Sequence, residues 1–214
     1  MVWSARRLLA FCLTTLLMLG WAVAPAQAAL EEAVFAGGCF WCLEHDLEDL
    51  PGEKEAISGS SGGSLEHPTY RQVSAGGTGH QEAVLVRFDP DRLSYAALLR
   101  AYWRNVDPLD GGGQFCDRGS SYRPVIFTQG PDQGKAASVS QAAAARELGR
   151  PVAELKVQIR PFRRFWPAED YHQNYAEHNK LRYDYYRWAC GRDRRLDAVW
   201  GSRARQGATW RSTP

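Results

Sequence analysis

The chain of 214 residues has little cysteine, almost no net charge and a single long apolar run, and each shortage narrows what it can be. Five cysteines are too few for a disulfide scaffold of this length, so each thiol needs its own explanation. Lys plus Arg total 26 against 24 Asp plus Glu, a formal charge of +2, which supplies no basic face for nucleic acid. No internal repeat and no long linker divides the chain. What remains is an ordinary globular composition, 44% hydrophobic and 12% aromatic, and one mixed domain of moderate size is expected.

The apolar run lies at the N-terminus. Arg6 and Arg7 precede a stretch from Leu8 to Val23, and Pro25-Ala26-Gln27-Ala28 follows with the small residues that a signal peptidase requires. The stretch is short for a membrane span, which needs about 20 apolar residues. Residues 1–28 therefore read as a secretory signal peptide cleaved after Ala28, and the protein is expected in the periplasm or outside the cell. Removing them takes away two arginines and no acids, leaving 24 basic and 24 acidic side chains. Cys12 departs with the leader, and Cys39, Cys42, Cys116 and Cys190 remain.

In an oxidising compartment the default for four thiols is two structural disulfides. The surroundings of Cys39 argue otherwise. Ala33-Val34-Phe35-Ala36 reads as a buried strand, Gly37-Gly38 as a tight turn, and Phe40 to Leu50 as a helix with Leu43, Leu47 and Leu50 on one face. Cys39 falls at the helix N-terminus, where unpaired N–H groups and the positive end of the helix dipole favour a thiolate. Such a sulfur is a nucleophile.

The residues around it form a recognisable set. Gly38-Cys39-Phe40-Trp41 resembles the active-site motif of the peptide methionine sulfoxide reductase A family. Further matches follow in order at Pro68–Val73, Gly77–Val84, Asp117–Arg123 and Ala168–Tyr175. The similarity runs from about Val34 to Tyr175. It implies an α+β fold, a two-layer α/β sandwich with a ferredoxin-like core. It also implies thiol-dependent reduction of methionine-S-sulfoxide, free or in proteins, as a repair of oxidised proteins. Within it, residues 29–181 form the catalytic domain and 182–214 a C-terminal extension carrying Cys190.

Reduction of a sulfoxide needs a thiolate, a proton donor and a pocket for the methyl group. Cys39 is the first. Glu82 is the candidate donor: His80, Glu82, Val84, Val86 and Phe88 share one face of a strand, and a carboxyl on that apolar face should stay protonated near neutral pH. By the resemblance, Tyr70 and Tyr122 hydrogen-bond the sulfoxide oxygen, Phe40 and Trp41 wall the methyl pocket, and Asp117 helps to place the substrate.

The oxygen left on Cys39 as a sulfenic acid must be resolved by a second thiol. Cys190, placed like the family's C-terminal recycling cysteines that act from a mobile segment, is the first choice. Cys42, one helical turn from Cys39, and Cys116, beside Asp117, are the alternatives, and a relay through more than one is open. The chain departs from the common pattern here, with Cys42 where glycine is frequent and Cys116-Asp117 where Asn-Asp is frequent.

No metal, flavin or nucleotide is expected, only an external reductant such as a thioredoxin-like protein, and a monomer is expected. A thioredoxin-like disulfide oxidoreductase using Cys39 and Cys42 is the rival reading, but it leaves Glu82, Tyr70 and Tyr122 unexplained. A four-thiolate zinc site lacks its second C-x-x-C pair. His172 and His178, six apart, do not share a helix face well enough for a metal. The remaining elements read as helices over Tyr95–Trp103 and Gln133–Leu148, and strands over Pro124–Thr128 and Leu155–Ile159. Eight arginines against three aspartates from Arg182 onward read as a solvated basic wrap.

Overall fold

The computed structural model describes residues 29–205, so the expected leader, residues 1–28, lies outside the described residues. In chain order the elements are β1 (Glu31–Ala36), α1 (Phe40–Leu47), β2 (Glu53–Ser61), α2 (Tyr70–Ser74), β3 (Gln81–Phe88), α3 (Tyr95–Arg104), β4 (Gly113–Gln114), β5 (Asp117–Arg118), β6 (Val125–Thr128), α4 (Gly130–Leu148), β7 (Gln158–Pro161), β8 (Phe165–Pro167), α5 (Tyr175–His178), α6 (Lys180–Cys190) and α7 (Arg192–Trp200). Six strands form one sheet in the order β7-β6-β1-β3-β2-β8, and β4 and β5 form a separate ribbon. Each of the four central strands runs antiparallel to its neighbours, and with α1 and α3 they make the β-α-β-β-α-β unit of a ferredoxin-like core.

The period of two in β1, β3 and β6 builds both sides of the sheet. Phe35, Val84, Val86, Phe88 and Ile126 face the main core with Leu43 and Leu47 of α1 and Leu98, Leu99 and Tyr102 of α3. Val34, Ala36, Ala83, Leu85, Val125 and Phe127 face the other way, where Ile57, Phe162 and Phe165 cover them. Helices on one face and a loop cover on the other make the two-layer α+β arrangement. Tyr102 ties the layers, its hydroxyl donating to the Ala36 carbonyl at 2.9 Å.

Several elements differ from their expected bounds for local reasons. α1 stops at Leu47 because Asp49 adopts a positive φ of 55°, so Leu50 is buried from the following loop. α4 begins at Gly130, with Pro131 in its first turn where the missing N–H costs nothing, and ends at the left-handed Gly149. A 3-10 turn over Val152–Glu154 displaces the last expected strand, which runs instead from Gln158 to Pro161.

The C-terminal segment is not a solvated wrap. Residue Arg192, at the start of α7, is 1% exposed, donates to the carbonyls of Gly37 and Asn105, and pairs with Asp46 at 3.3 Å. Arg187 bridges Asp46 and Asp193, and Leu196 and Trp200 enter the main core. The expected boundary between residues 181 and 182 falls inside α6.

Candidate active site

Cys39 closes the turn between β1 and α1. Gly38 has φ of +85°, and a Cβ there would stand 2.7 Å from Gln114 Cβ, so only glycine fits. Cys39 is the N-cap residue of α1, its carbonyl accepting from the N–H groups of Cys42 and Leu43. The next amide, Phe40 N–H, donates to Glu82 Oε2 at 3.0 Å across the sheet. Nucleophile and acid are thereby held by one bond.

Glu82 is 2% exposed on β3. Burial pushes its pKa up to about 8; the Phe40 N–H pulls it back, the charges of Asp117 and Cys42 add to the rise, and the Tyr122 hydroxyl opposes it. With Oε2 engaged by Phe40, Oε1 makes no hydrogen bond of good geometry. Oε1 is thus the carboxyl oxygen that the helix does not hold.

Tyr70 opens α2, which begins at a Thr69/Gln72 capping box, and its amide donates to Glu169 Oε1 at 3.2 Å. Its ring rests against Phe40 at 5.8 Å and His172 at 4.3 Å. Burial, with Glu82 nearby, lifts its phenol to about 12 and lifts Tyr122 further, so both hydroxyls remain proton donors in hydrogen bonds at any ordinary pH. Phe40 and Trp41 stand side by side at 6.3 Å. Trp41 is stacked on Tyr175 at 3.7 Å, and its indole N–H donates to His172 Nδ1 at 3.0 Å.

The structure thus brings together Cys39, Phe40, Trp41, Tyr70, Glu82, Asp117 and Tyr122. It also supplies a residue that sequence reading passed over. His172 was considered only as a metal ligand, whereas here it fixes the Trp41 wall and touches Phe40 and Tyr70. Burial lowers its pKa, which keeps Nδ1 an acceptor. Its place within the Ala168–Tyr175 motif was the available signal.

The thiols are arranged differently from the first choice. Cys190 is joined to Cys116, and it ends α6 rather than lying in a mobile segment. The arginines flanking it are the reason: Arg187 and Arg192 pair with the buried Asp46 and fasten α6 and α7 to α1. Cys39 and Cys42 are free and buried. Cys116, Asp117 and Cys190 are the cysteine and carboxylate groups that cluster among the described residues, with both sulfurs occupied by their mutual bond.

Protonation within the inner pair also departs from the helix-dipole expectation. Burial pushes Cys39 well up, reinforced by its hydrogen bond to Cys42 and by the charges of Cys42, Glu82 and Asp117. That same hydrogen bond lowers Cys42 against the effect of burial, and Arg192 and Arg187 lower it further. The two thiols are thus driven apart, Cys39 toward the protonated form and Cys42 toward the thiolate. A groove of about 420 Å³ between α3, α4 and α7, lined by Leu99, Trp103, Val139 and Trp200, includes none of these residues.

The family model described as peptide methionine sulfoxide reductase matches residues 31–204. The chain belongs to the peptide methionine sulfoxide reductase family. Peptide methionine sulfoxide reductase MsrA 2 of Caulobacter vibrioides is 52% identical over 92% of this chain and 99% of its own length. Its namesake from Rhizobium meliloti is 45% identical over 95% of this chain and 98% of its own. Among solved structures, methionine sulfoxide reductase A of Corynebacterium diphtheriae superposes with a TM-score of 0.66 at 30% identity, over 73% of this chain and 78% of that one. The reductase match runs through α6 and the whole of α7, so these helices belong to the family unit.

Proposed function

We propose that this protein reduces methionine-S-sulfoxide, free or in proteins, to methionine through a Cys39 sulfenic acid, as a thiol-dependent repair enzyme. The observation that carries the reading is the Phe40 N–H to Glu82 bond, which holds a protonated acid beside the nucleophile. Substrate enters with its methyl group against Phe40 and Trp41 and its oxygen toward Glu82 Oε1, Tyr70 and Tyr122. The Cys39 thiol gives its proton to Cys42 as it attacks the sulfoxide sulfur. Glu82 protonates the oxygen, which moves from the methionine sulfur to the Cys39 sulfur; the substrate S–O bond and the transient bond between the two sulfurs break, methionine leaves, and Cys39 is left as S–OH. The substrate sulfur has gained two electrons, and Cys39 has lost them.

Cys42 resolves this acid. Its sulfur forms a bond to the Cys39 sulfur, the S–OH bond breaks, and the hydroxyl leaves with the Cys42 proton as water. The resulting bridge is buried, whereas Cys116 is exposed. A protein reductant meets Cys116 and Cys190 first, so those two sulfurs pass electrons inward by thiol–disulfide exchange and return to the bridged state. A thioredoxin-like dithiol protein restores them. The disulfide-oxidoreductase reading leaves Glu82, Tyr70 and Tyr122 without work. No prosthetic cofactor enters this scheme, and the enzyme acts as a monomer.

Residues 1–28 export the chain to the periplasm, and N-terminal sequencing of the exported protein should begin at Ala29. The reaction is tested by anaerobic single turnover on the separated epimers of a methionine sulfoxide peptide. Product from the S epimer with wild type and none with Cys39→Ser supports the scheme; product from neither protein overturns it.

A further inference from the structure

The Cys116–Cys190 bridge joins two elements that are distant in the chain. Cys116 lies exposed just before β5, and Cys190 ends α6, 74 residues later and half-buried. Asp117 follows Cys116 directly. Both sulfurs and one oxygen of this carboxylate lie within 4.8 Å of one another. Once a dithiol partner has opened the bridge, this corner offers two thiols and a carboxylate to solvent.

That donor set suits one kind of ligand. Zinc binds cysteine sulfur at about 2.3 Å and carboxylate oxygen at about 2.0–2.2 Å in a tetrahedron, so its ligand atoms stand about 3.5 to 4 Å apart. The spread of the three donors matches this, and the sulfurs can part when the bond between them is gone. A thiolate pair also selects zinc over magnesium or calcium, which prefer oxygen. Hydrogen bonds behind the donors are already in place: the Tyr186 hydroxyl donates to Asp117 Oδ2 at 2.6 Å, and the Cys116 backbone N–H lies 3.1 Å from the Cys190 sulfur. Such outer contacts orient ligands and tighten metal sites.

We propose that the reduced Cys116 and Cys190 pair, together with Asp117, binds one zinc ion, with water as the fourth ligand. Binding releases the two thiol protons and changes no oxidation state. The metal then replaces the sulfur–sulfur bond as the tie between α6 and the ribbon. Its effect on turnover rests on the reductase reading above. Thiolates held by zinc cannot attack the inner bridge, so the ion stops recycling and leaves Cys39 and Cys42 oxidised.

The test is a zinc chloride titration, against a chromogenic zinc indicator, of protein reduced with a phosphine and freed of reductant without air. Reduced wild type and Cys42→Ser should each bind about one zinc per chain. Oxidised wild type, reduced Cys116→Ser and reduced Cys190→Ser should bind none. Asp117→Asn keeps both sulfurs and their bridge, and so separates loss of a ligand from loss of the fold. Removing an outer partner alone costs about 10- to 100-fold in metal affinity, so removing this ligand should weaken zinc by at least about tenfold. Cobalt(II) in place of zinc should give thiolate charge-transfer absorption with Cys42→Ser and not with Cys116→Ser. Failure of reduced wild type to bind zinc, equal binding by the oxidised protein, retention by Cys116→Ser with loss in Cys42→Ser, or unchanged affinity in Asp117→Asn would each overturn the proposal. The titration uses no substrate, whereas the reductase reading fails through absence of methionine formation by metal-free protein, so the two failures are distinguishable.

Discussion

Glu82 and Phe40 are 42 residues apart in sequence and joined by one hydrogen bond of 3.0 Å, from the first amide of α1 to a carboxyl on β3. The bond satisfies a helix N–H that would otherwise lack a partner. It also leaves Oε1 as the carboxyl oxygen that the helix does not hold.

Glu82→Gln should leave that bond intact and remove the transferable proton. Single-turnover reduction should fall by about 10²- to 10⁴-fold, with half-saturation little changed. Because the acid must be protonated to act and titrates at about 8, the wild-type rate should fall as pH rises through that value. A variant retaining the same fall above pH 8 would show that another group supplies the proton.

Cys42→Ser should uncouple reduction from recycling. One equivalent of methionine should appear at close to the wild-type amount, and Cys39 should then react with a sulfenic-acid trap such as dimedone. Wild type should instead show a Cys39–Cys42 bridge by peptide mass mapping. Direct bridging of Cys39 to Cys190 in wild type would restore the sequence-based first choice.

Glu44 offers a test of stability without touching the chemistry. It is 1% exposed, and burial, with Glu48 adding, raises its pKa from 4.5 to about 7. The folded state therefore binds more protons than the unfolded chain across that window, and stability falls as pH rises through it. Glu44→Gln should raise stability at pH 8 by on the order of 2 kcal/mol and make little difference at pH 4.5. Equal melting temperatures for variant and wild type at pH 8 would refute the assignment.

Residues 29–214 contain no methionine. A catalyst of sulfoxide repair so composed cannot accumulate the lesion it removes. Mild peroxide treatment followed by dithiothreitol should therefore return full activity, since the oxidised groups are thiols that can be reduced again. Irreversible loss, with both thiol pairs recovered, would contradict this.

Much of the catalytic centre was legible in the sequence because its geometry is local or periodic. Cys39 sits one residue before α1, and the two-residue period of β3 places Glu82 on the face of Val84 and Val86. The resemblance supplied Tyr70, Tyr122 and Asp117, whose meeting depends on the turns between strands. α6 and α7 were misjudged because their arginines look solvated when counted along the chain. Only tertiary structure shows Arg187 meeting Asp46, 141 residues away. His172 escaped for the same reason, since its partner Trp41 lies 131 residues earlier.

Arg192 reaches beneath the Gly37-Gly38 turn and bonds the Gly37 carbonyl, 155 residues earlier in the chain. A ribosome delivers the two ends of that contact far apart in time. Cys39 and Cys42 emerge early, yet the guanidinium that reaches their turn is made 155 residues after Gly37. During synthesis both sulfurs therefore lack their covering helices, and any chain cut short before residue 192 stays open at its reactive end. Closure over the thiol pair therefore waits on Arg192.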